Sequence, residues 1–255
     1  MARPRGAAAA VLHKPNNDAP CPASLQAWQE LRWGEKTAQL GCLPVGGRLS
    51  AFLPFWESIT QDRWVLDIVK WGYFLPFHDY PQLSSNPLVT PTPRDPHKED
   101  LLRKEIYNLI QKGAIESLGA GDLTPGFFSH YFLAPKKDGS WRPILDLKRL
   151  NSHIRCDKFR METLSSILRA IQPGDWMVAM DLKDAYLHVP IAPGHRKFLR
   201  FAFRDPQGSL IVYQWKVLPF GLSTSPRVFT KMVAVLSGHL HVQGVPLFPY
   251  IDDMF

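Results

Sequence analysis

Apolar residues fall into helical and strand periods over most of the chain, with aperiodic stretches in between. Residues 1–45 mix Ala, Pro, Asn and Gly without a period and read as a poorly ordered leader. Residues 46–80 concentrate Phe52, Phe55, Trp56, Trp64, Trp71, Tyr73, Phe74 and Phe77 around one short helix at 62–70, and these aromatics read as core rather than as a stacking platform. The stretch 81–97 carries five prolines and reads as an extended linker. Leu101, Leu102, Ile106, Leu109 and Ile110 then recur at helical spacing, with acids in the first turn and Gly113 placed to stop the helix. Strand patterns follow at 127–135, 141–146 and 176–181, with a helix at 162–171 ended by Pro173-Gly174. Residues 198–203 and 210–218 predict an antiparallel hairpin turning through Asp205-Pro206-Gln207-Gly208. Ser225-Pro226 caps a further helix that buries Val228, Phe229, Met232, Val233 and Leu236. A last apolar strand at 246–251 delivers Asp252-Asp253 to a turn. The order of elements is that of an α+β protein.

Composition sharpens this picture in one respect. The chain of 255 residues has a formal net charge of +7, which points to a polyanionic partner. Residues 136–160 hold eight Lys/Arg (Lys136, Lys137, Arg142, Lys148, Arg149, Arg155, Lys158, Arg160) against three acids, so most of the excess sits there. Interleaved Trp141 and Phe159 favour nucleic acid or nucleotide phosphate over a plain solvated face. Cys21, Cys42 and Cys156 match neither a zinc spacing nor a disulfide framework, so an intracellular setting is expected, cytoplasmic or nuclear. The opening MARPRGAAAAVL is too short and too soon followed by polar residues to be a signal peptide, and no stretch has the apolar length of a membrane span.

Two apolar strands end in acids, 176–181 at Asp181 and 247–253 at Asp252-Asp253. An acid at the end of a buried strand is costly unless a cation meets it. Side by side, such strands would bring carboxylates together, an arrangement best tolerated around hard divalent metal such as Mg²⁺. Two such ions clamp the attacking and leaving oxygens of an in-line phosphoryl displacement. On residue chemistry alone an Asp-Asp pair fits an exposed turn as well as a metal site.

The motifs taken together carry further. Lys136-Lys137-Asp138-Gly139-Ser140-Trp141-Arg142-Pro143 and Asp146-Leu147-Lys148-Arg149-Leu150-Asn151 resemble the fingers strand pair of reverse transcriptases. Asp181-Leu182-Lys183-Asp184-Ala185-Tyr186 is similar to the first catalytic motif of that family. Leu218-Pro219-Phe220-Gly221-Leu222, with Ser225-Pro226 and Phe229, is similar to its template- and nucleotide-facing motif, and Tyr250-Ile251-Asp252-Asp253 to its catalytic turn. Four motifs stand in the family's order over about half the chain. Gly46-Gly47-Arg48-Leu49, Trp64-Val65-Leu66, Gly72-Tyr73, Lys112-Gly113-Ala114-Ile115-Glu116 and 195–201 further resemble DIRS-type, tyrosine-recombinase retrotransposon polymerases.

The resemblance implies a right-hand polymerase with an antiparallel palm sheet and helices on one face. The leader would occupy 1–45, the aromatic segment and linker 46–97, the fingers with the start of the palm 98–175, and the palm 176–255. It implies that Asp181 and Asp252 hold two Mg²⁺ ions (Mn²⁺ being an alternative), with Asp253 a weaker or indirect ligand and the Leu182 carbonyl completing a shell. The N–H groups of Asp184 and Ala185 would hold the triphosphate, with Arg142, Lys136 and Lys137 supplying cations. Tyr186 would sit under the sugar and exclude a 2′-hydroxyl, and Phe220 and Gly221 would pack near the nascent base pair. Phe220 stands where retroviral enzymes place Gln and matches retrotransposon members. The implied partners are an RNA or DNA template with primer, and dNTPs.

The family's primer grip, thumb and RNase H region would follow the Tyr-Ile-Asp-Asp turn, so the chain reads as fingers and palm cut short, a piece of a longer polyprotein. Two other readings compete, a metal-dependent nuclease and a catalytically dead nucleic-acid-binding remnant. The nuclease would need neither Tyr186 nor the basic fingers strand. His239 and His241 read as the end of the helix begun at Ser225, where cationic character suits the C-terminal dipole.

Overall fold

The computed structural model describes residues 11–13, 43–119, 124–137, 139–161, 163–172, 174, 177–250 and 253–254. Its strands are β1 (Val11–His13), β2 (Ile115–Leu118), β3 (Tyr131–Pro135), β4 (Trp141–Leu145), β5 (Met177–Asp181), β6 (Arg200–Arg204), β7 (Leu210–Trp215), β8 (Pro249–Tyr250) and β9 (Asp253–Met254). Its α-helices are α1 (Leu53–Ile59), α2 (Arg63–Trp71), α3 (Pro96–Gln111), α4 (Lys148–Asn151), α5 (Leu164–Ala170) and α6 (Ser225–Val242). The chain divides into two compact units, one of residues 44–158 and 186–229, the other of Met1–Leu43, Phe159–Ala185 and Thr230–Phe255. Helices and antiparallel sheets are mixed, as the pattern predicts.

In the first unit, β2, β7 and β6 form an antiparallel sheet in that order, and β3 pairs with β4 as a separate hairpin. The β6–β7 turn closes on itself: Asp205 N–H donates to the Ser209 carbonyl at 2.9 Å, and Ser209 N–H to Asp205 Oδ1 at 2.7 Å. Four of five residues of β6 are buried, so Phe201 and Ala202 lie at the centre of the packing with Val212 and Trp215 of β7. Capping sets the helix starts. Asp62 Oδ1 accepts from Trp64 and Val65 N–H, so the helix expected at 62–70 begins one residue later. Asp95 caps His97 N–H and Pro96 takes the first helical position, which starts α3 ahead of its apolar period.

Residues 81–95 of the stretch read as a linker run without helix along this unit, and 96–97 open α3. Thr90 N–H donates to the Ala202 carbonyl at 2.8 Å, and the buried Thr90 hydroxyl accepts from Tyr131 N–H at 3.0 Å. Gly46 has a packing reason to be glycine: its N–H donates to the Lys112 carbonyl at 2.7 Å, and a Cβ there would lie 2.2 Å from the Gly113 carbonyl oxygen.

In the second unit the sheet order is β1-β5-β9-β8, antiparallel throughout. Val11–His13, inside the stretch read as a leader, thus pairs with one side of β5. The helix expected at 162–171 is the shorter α5, and α6 belongs to this unit from Thr230 onward. Ser237 Oγ donates to the Leu247 carbonyl at 2.6 Å, which ties α6 to the approach to β8. His239 and His241 sit in the last turn of α6, as expected. Among the described residues no helix is long and apolar enough to cross a membrane.

Candidate active site

In the second unit, β5 climbs from Met177 to Asp181, and Asp181 is exposed at its end. Its register partner is Asp253 of β9, with Met180 opposite Met254. The sequence pattern expects Asp181 beside the strand carrying Tyr250–Asp253 in an antiparallel sheet. Asp253 on β9 is that neighbour, while β8 with Tyr250 lies one place further out. Asp252, expected to ligate metal, lies outside the described residues, as does Asp138 of the fingers motif. Like charges directly opposed in a ladder destabilise it unless a cation intervenes. A ladder register that sets two aspartate positions opposite each other is compatible with a divalent cation in that respect. Among the described residues, no three His, Cys, Asp or Glu side chains gather into a complete ligand set.

Immediately after Leu182 and Lys183, Asp184 takes φ 59°, the sole positive φ outside glycine among the described residues. Aspartate tolerates this left-handed region better than most residues. The 3₁₀ turn Ala185–His188 follows at once. A left-handed residue abutting right-handed helical ones curls successive N–H groups into a concavity suited to an anion. Asp184 and Ala185, the residues expected to face triphosphate, lie at this turn.

In the first unit, Lys136 and Lys137 are exposed at the tip of the β3–β4 turn, which Lys136 N–H closes onto the Ser140 carbonyl at 2.7 Å. Arg142 is exposed on β4 opposite Ala134. Beside it Trp141 is already engaged, with Lys98 Nζ of α3 at 4.1 Å over its ring. Tyr186 is 9% exposed, its ring 4.8 Å from Phe220 and 5.5 Å from Phe229, whereas Phe220 is 52% exposed. The structure thus joins two positions singled out separately, Tyr186 and Phe220, into one aromatic pair whose outer ring faces solvent. Gly221 follows with φ 93°, and a Cβ there would lie 3.3 Å from the Leu145 carbonyl oxygen at the end of β4. Asn151, quoted in the fingers motif but given no role, hydrogen-bonds this loop through Gly221 and Ser223. Only its place after Arg149-Leu150 hinted at it, because its partners lie about seventy residues away.

Residues 134–255 match the family described as reverse transcriptase (RNA-dependent DNA polymerase). The Tf2-3 and Tf2-7 transposon polyproteins of Schizosaccharomyces pombe are each 26% identical to the chain over 189 residues. That alignment covers 74% of this chain and 12% of each relative, so the chain spans a small part of the polyproteins it resembles. Residues 134–255 thus match a reverse transcriptase domain, an RNA-directed DNA polymerase family, and the relatives that the chain resembles are retrotransposon polyproteins.

Proposed function

We propose that the chain supplies the fingers and palm of a retrotransposon polymerase, of the DIRS type, that extends a primer on an RNA or DNA template from dNTPs inside the cell. The observation that carries the reading is Asp181 opposite Asp253 in the β5–β9 ladder, followed directly by the left-handed turn at Asp184. Asp181 and Asp252 would hold two Mg²⁺ ions, with Asp253 weaker or indirect and the Leu182 carbonyl completing a shell. Bound there, the ions supply charge neutralisation and activation of the primer hydroxyl. The protein's own part is positioning. The N–H groups of Asp184 and Ala185 receive the triphosphate, and Lys136, Lys137 and Arg142 neutralise it while the 3′-oxygen displaces pyrophosphate from the α-phosphorus. Tyr186 lies under the sugar, and Phe220 and Gly221 flank the nascent pair.

The test is primer extension on an RNA template by the chain joined to the downstream polymerase region of a relative such as the Tf2-3 polyprotein. Mg²⁺-dependent dNTP incorporation is expected, and Asp181→Asn should lower it by more than about 10²-fold, because the metals lose a charged ligand. A folded fusion that binds template–primer without incorporating would favour the dead remnant.

A further inference from the structure

One carboxamide bridges two backbone groups of the loop Pro219-Phe220-Gly221-Leu222-Ser223. Asn151, the last residue of α4, donates from Nδ2 to the Gly221 carbonyl at 2.9 Å and accepts the Ser223 N–H on Oδ1 at 2.9 Å. A carbonyl needs a donor and an N–H needs an acceptor, so these two partners fix which end of the amide faces which. No other side chain of similar reach offers both groups in one plane: aspartate would set an anion against the Gly221 carbonyl, and serine is too short. The helix that presents Asn151 is itself anchored, with Leu147 and Leu150 buried and the Asn151 N–H bonded to the Leu147 carbonyl at 2.7 Å. Further ties to the loop are Cys156 Sγ to the Ser223 carbonyl at 3.6 Å and Ser225 Oγ to the Pro219 carbonyl at 3.0 Å. Neither reaches Gly221, whose positive φ leaves its backbone free to swing if Asn151 lets go.

The loop's outward residue is Phe220, and its ring lies 4.8 Å from Tyr186. We infer that Asn151 is a positioning residue, a latch between the end of the fingers hairpin and this loop that sets Phe220 against Tyr186 and so shapes the platform for the incoming nucleotide. This assignment rests on the polymerase reading for its consequence, though not for its geometry.

Two measurements separate the two. In the full chain, a single 4-fluorophenylalanine placed at position 220 reports the ring stack by ¹⁹F NMR, with Tyr186→Ala supplying the unstacked reference. Asn151→Ala should move the line towards that reference. Asn151→Asp should do the same at neutral pH and return towards the wild-type position as the introduced carboxyl protonates near pH ~4 and regains a donor for the Gly221 carbonyl. In the extension assay, Asn151→Ala should raise KM for dNTP about tenfold with kcat nearly unchanged, as expected for two lost hydrogen bonds that only orient the platform. An unmoved line in Asn151→Ala, or an Asn151→Asp line indifferent to pH, overturns the latch. Loss of kcat with KM unchanged also overturns it, because that would place Asn151 in the chemistry. A wild-type fusion without incorporation sinks the polymerase reading, while the ¹⁹F lines still decide the latch.

Discussion

Tyr186 shows how much of a residue's role is set by its neighbours. Its ring is covered by Phe220 on one side and Phe229 on another, so it has little freedom to turn away from whatever meets its edge. Under the proposed function that rigidity is what makes it discriminate, since a mobile ring would yield to a 2′-hydroxyl. Tyr186→Ala should therefore preserve dNTP incorporation and lower the preference for dNTP over rNTP by roughly 10- to 100-fold, the range that steric pockets typically supply. Tyr186→Phe keeps the ring and should leave that preference intact. Competition between radiolabelled dNTP and rNTP on one template measures both. Equal discrimination by the alanine variant would remove Tyr186 from the sugar site. Asp181 is a different case, because its place depends on a ladder partner rather than on packing.

Elements join through single polar residues as well as through sheets. The 3₁₀ helix Pro193–Phe198 presents His195, whose Nδ1 accepts the Leu75 N–H at 3.0 Å, so that nitrogen carries no proton. Burial, and secondarily Lys197, holds this imidazole below the usual histidine pKa of 6.5. A depressed folded-state pKa means that the unfolded chain takes the proton first, so this contribution to stability is complete above pH ~6.5 and declines as pH falls below it. The urea midpoint of the wild-type chain should therefore fall between about pH 7.5 and 5.5 more than that of His195→Gln, which keeps an acceptor but does not titrate. Parallel curves for the two proteins would show that the Leu75 contact is not linked to protonation. Such joints explain what the sequence could and could not reveal. The period of α3, the β6–β7 hairpin and the strand ending at Asp181 were legible because each is local. The four-residue β2 was not, since its partner β7 lies about a hundred residues on and four residues carry no period. Arg200 looked like one more strand residue. Its guanidinium is in fact buried against the Thr124 carbonyl and Gln214, contacts that no local pattern encodes. In the candidate site the acids and Tyr186 stand out by motif, whereas the Asn151 contacts and the left-handed turn at Asp184 arise from partners and dihedrals that no local pattern encodes.

At the scale of the whole molecule the deciding quantity is charge. Of the net seven positive charges, five arise within residues 136–160, and all eight basic side chains of that window are exposed. Arg155 meets Asp157 at 3.5 Å, an exposed pair of little energetic weight. A surface of this kind should bind template–primer without sequence preference, and each phosphate it neutralises releases a counterion. Affinity should then fall steeply with salt, at roughly 0.9 logarithmic units per decade for every duplex phosphate contacted. Lys137 stands at the hairpin tip and Arg142 on β4, and both side chains are exposed. Reversing both to Glu should make the slope shallower by about 2, since two phosphate contacts are lost, while leaving the thermal midpoint nearly unchanged because both side chains are exposed. Fluorescence anisotropy of a labelled template–primer across a salt series reads the slope directly. A double variant with the parental slope would mean that the β3–β4 hairpin faces away from nucleic acid, and the cations for triphosphate binding would then have to come from another part of the window.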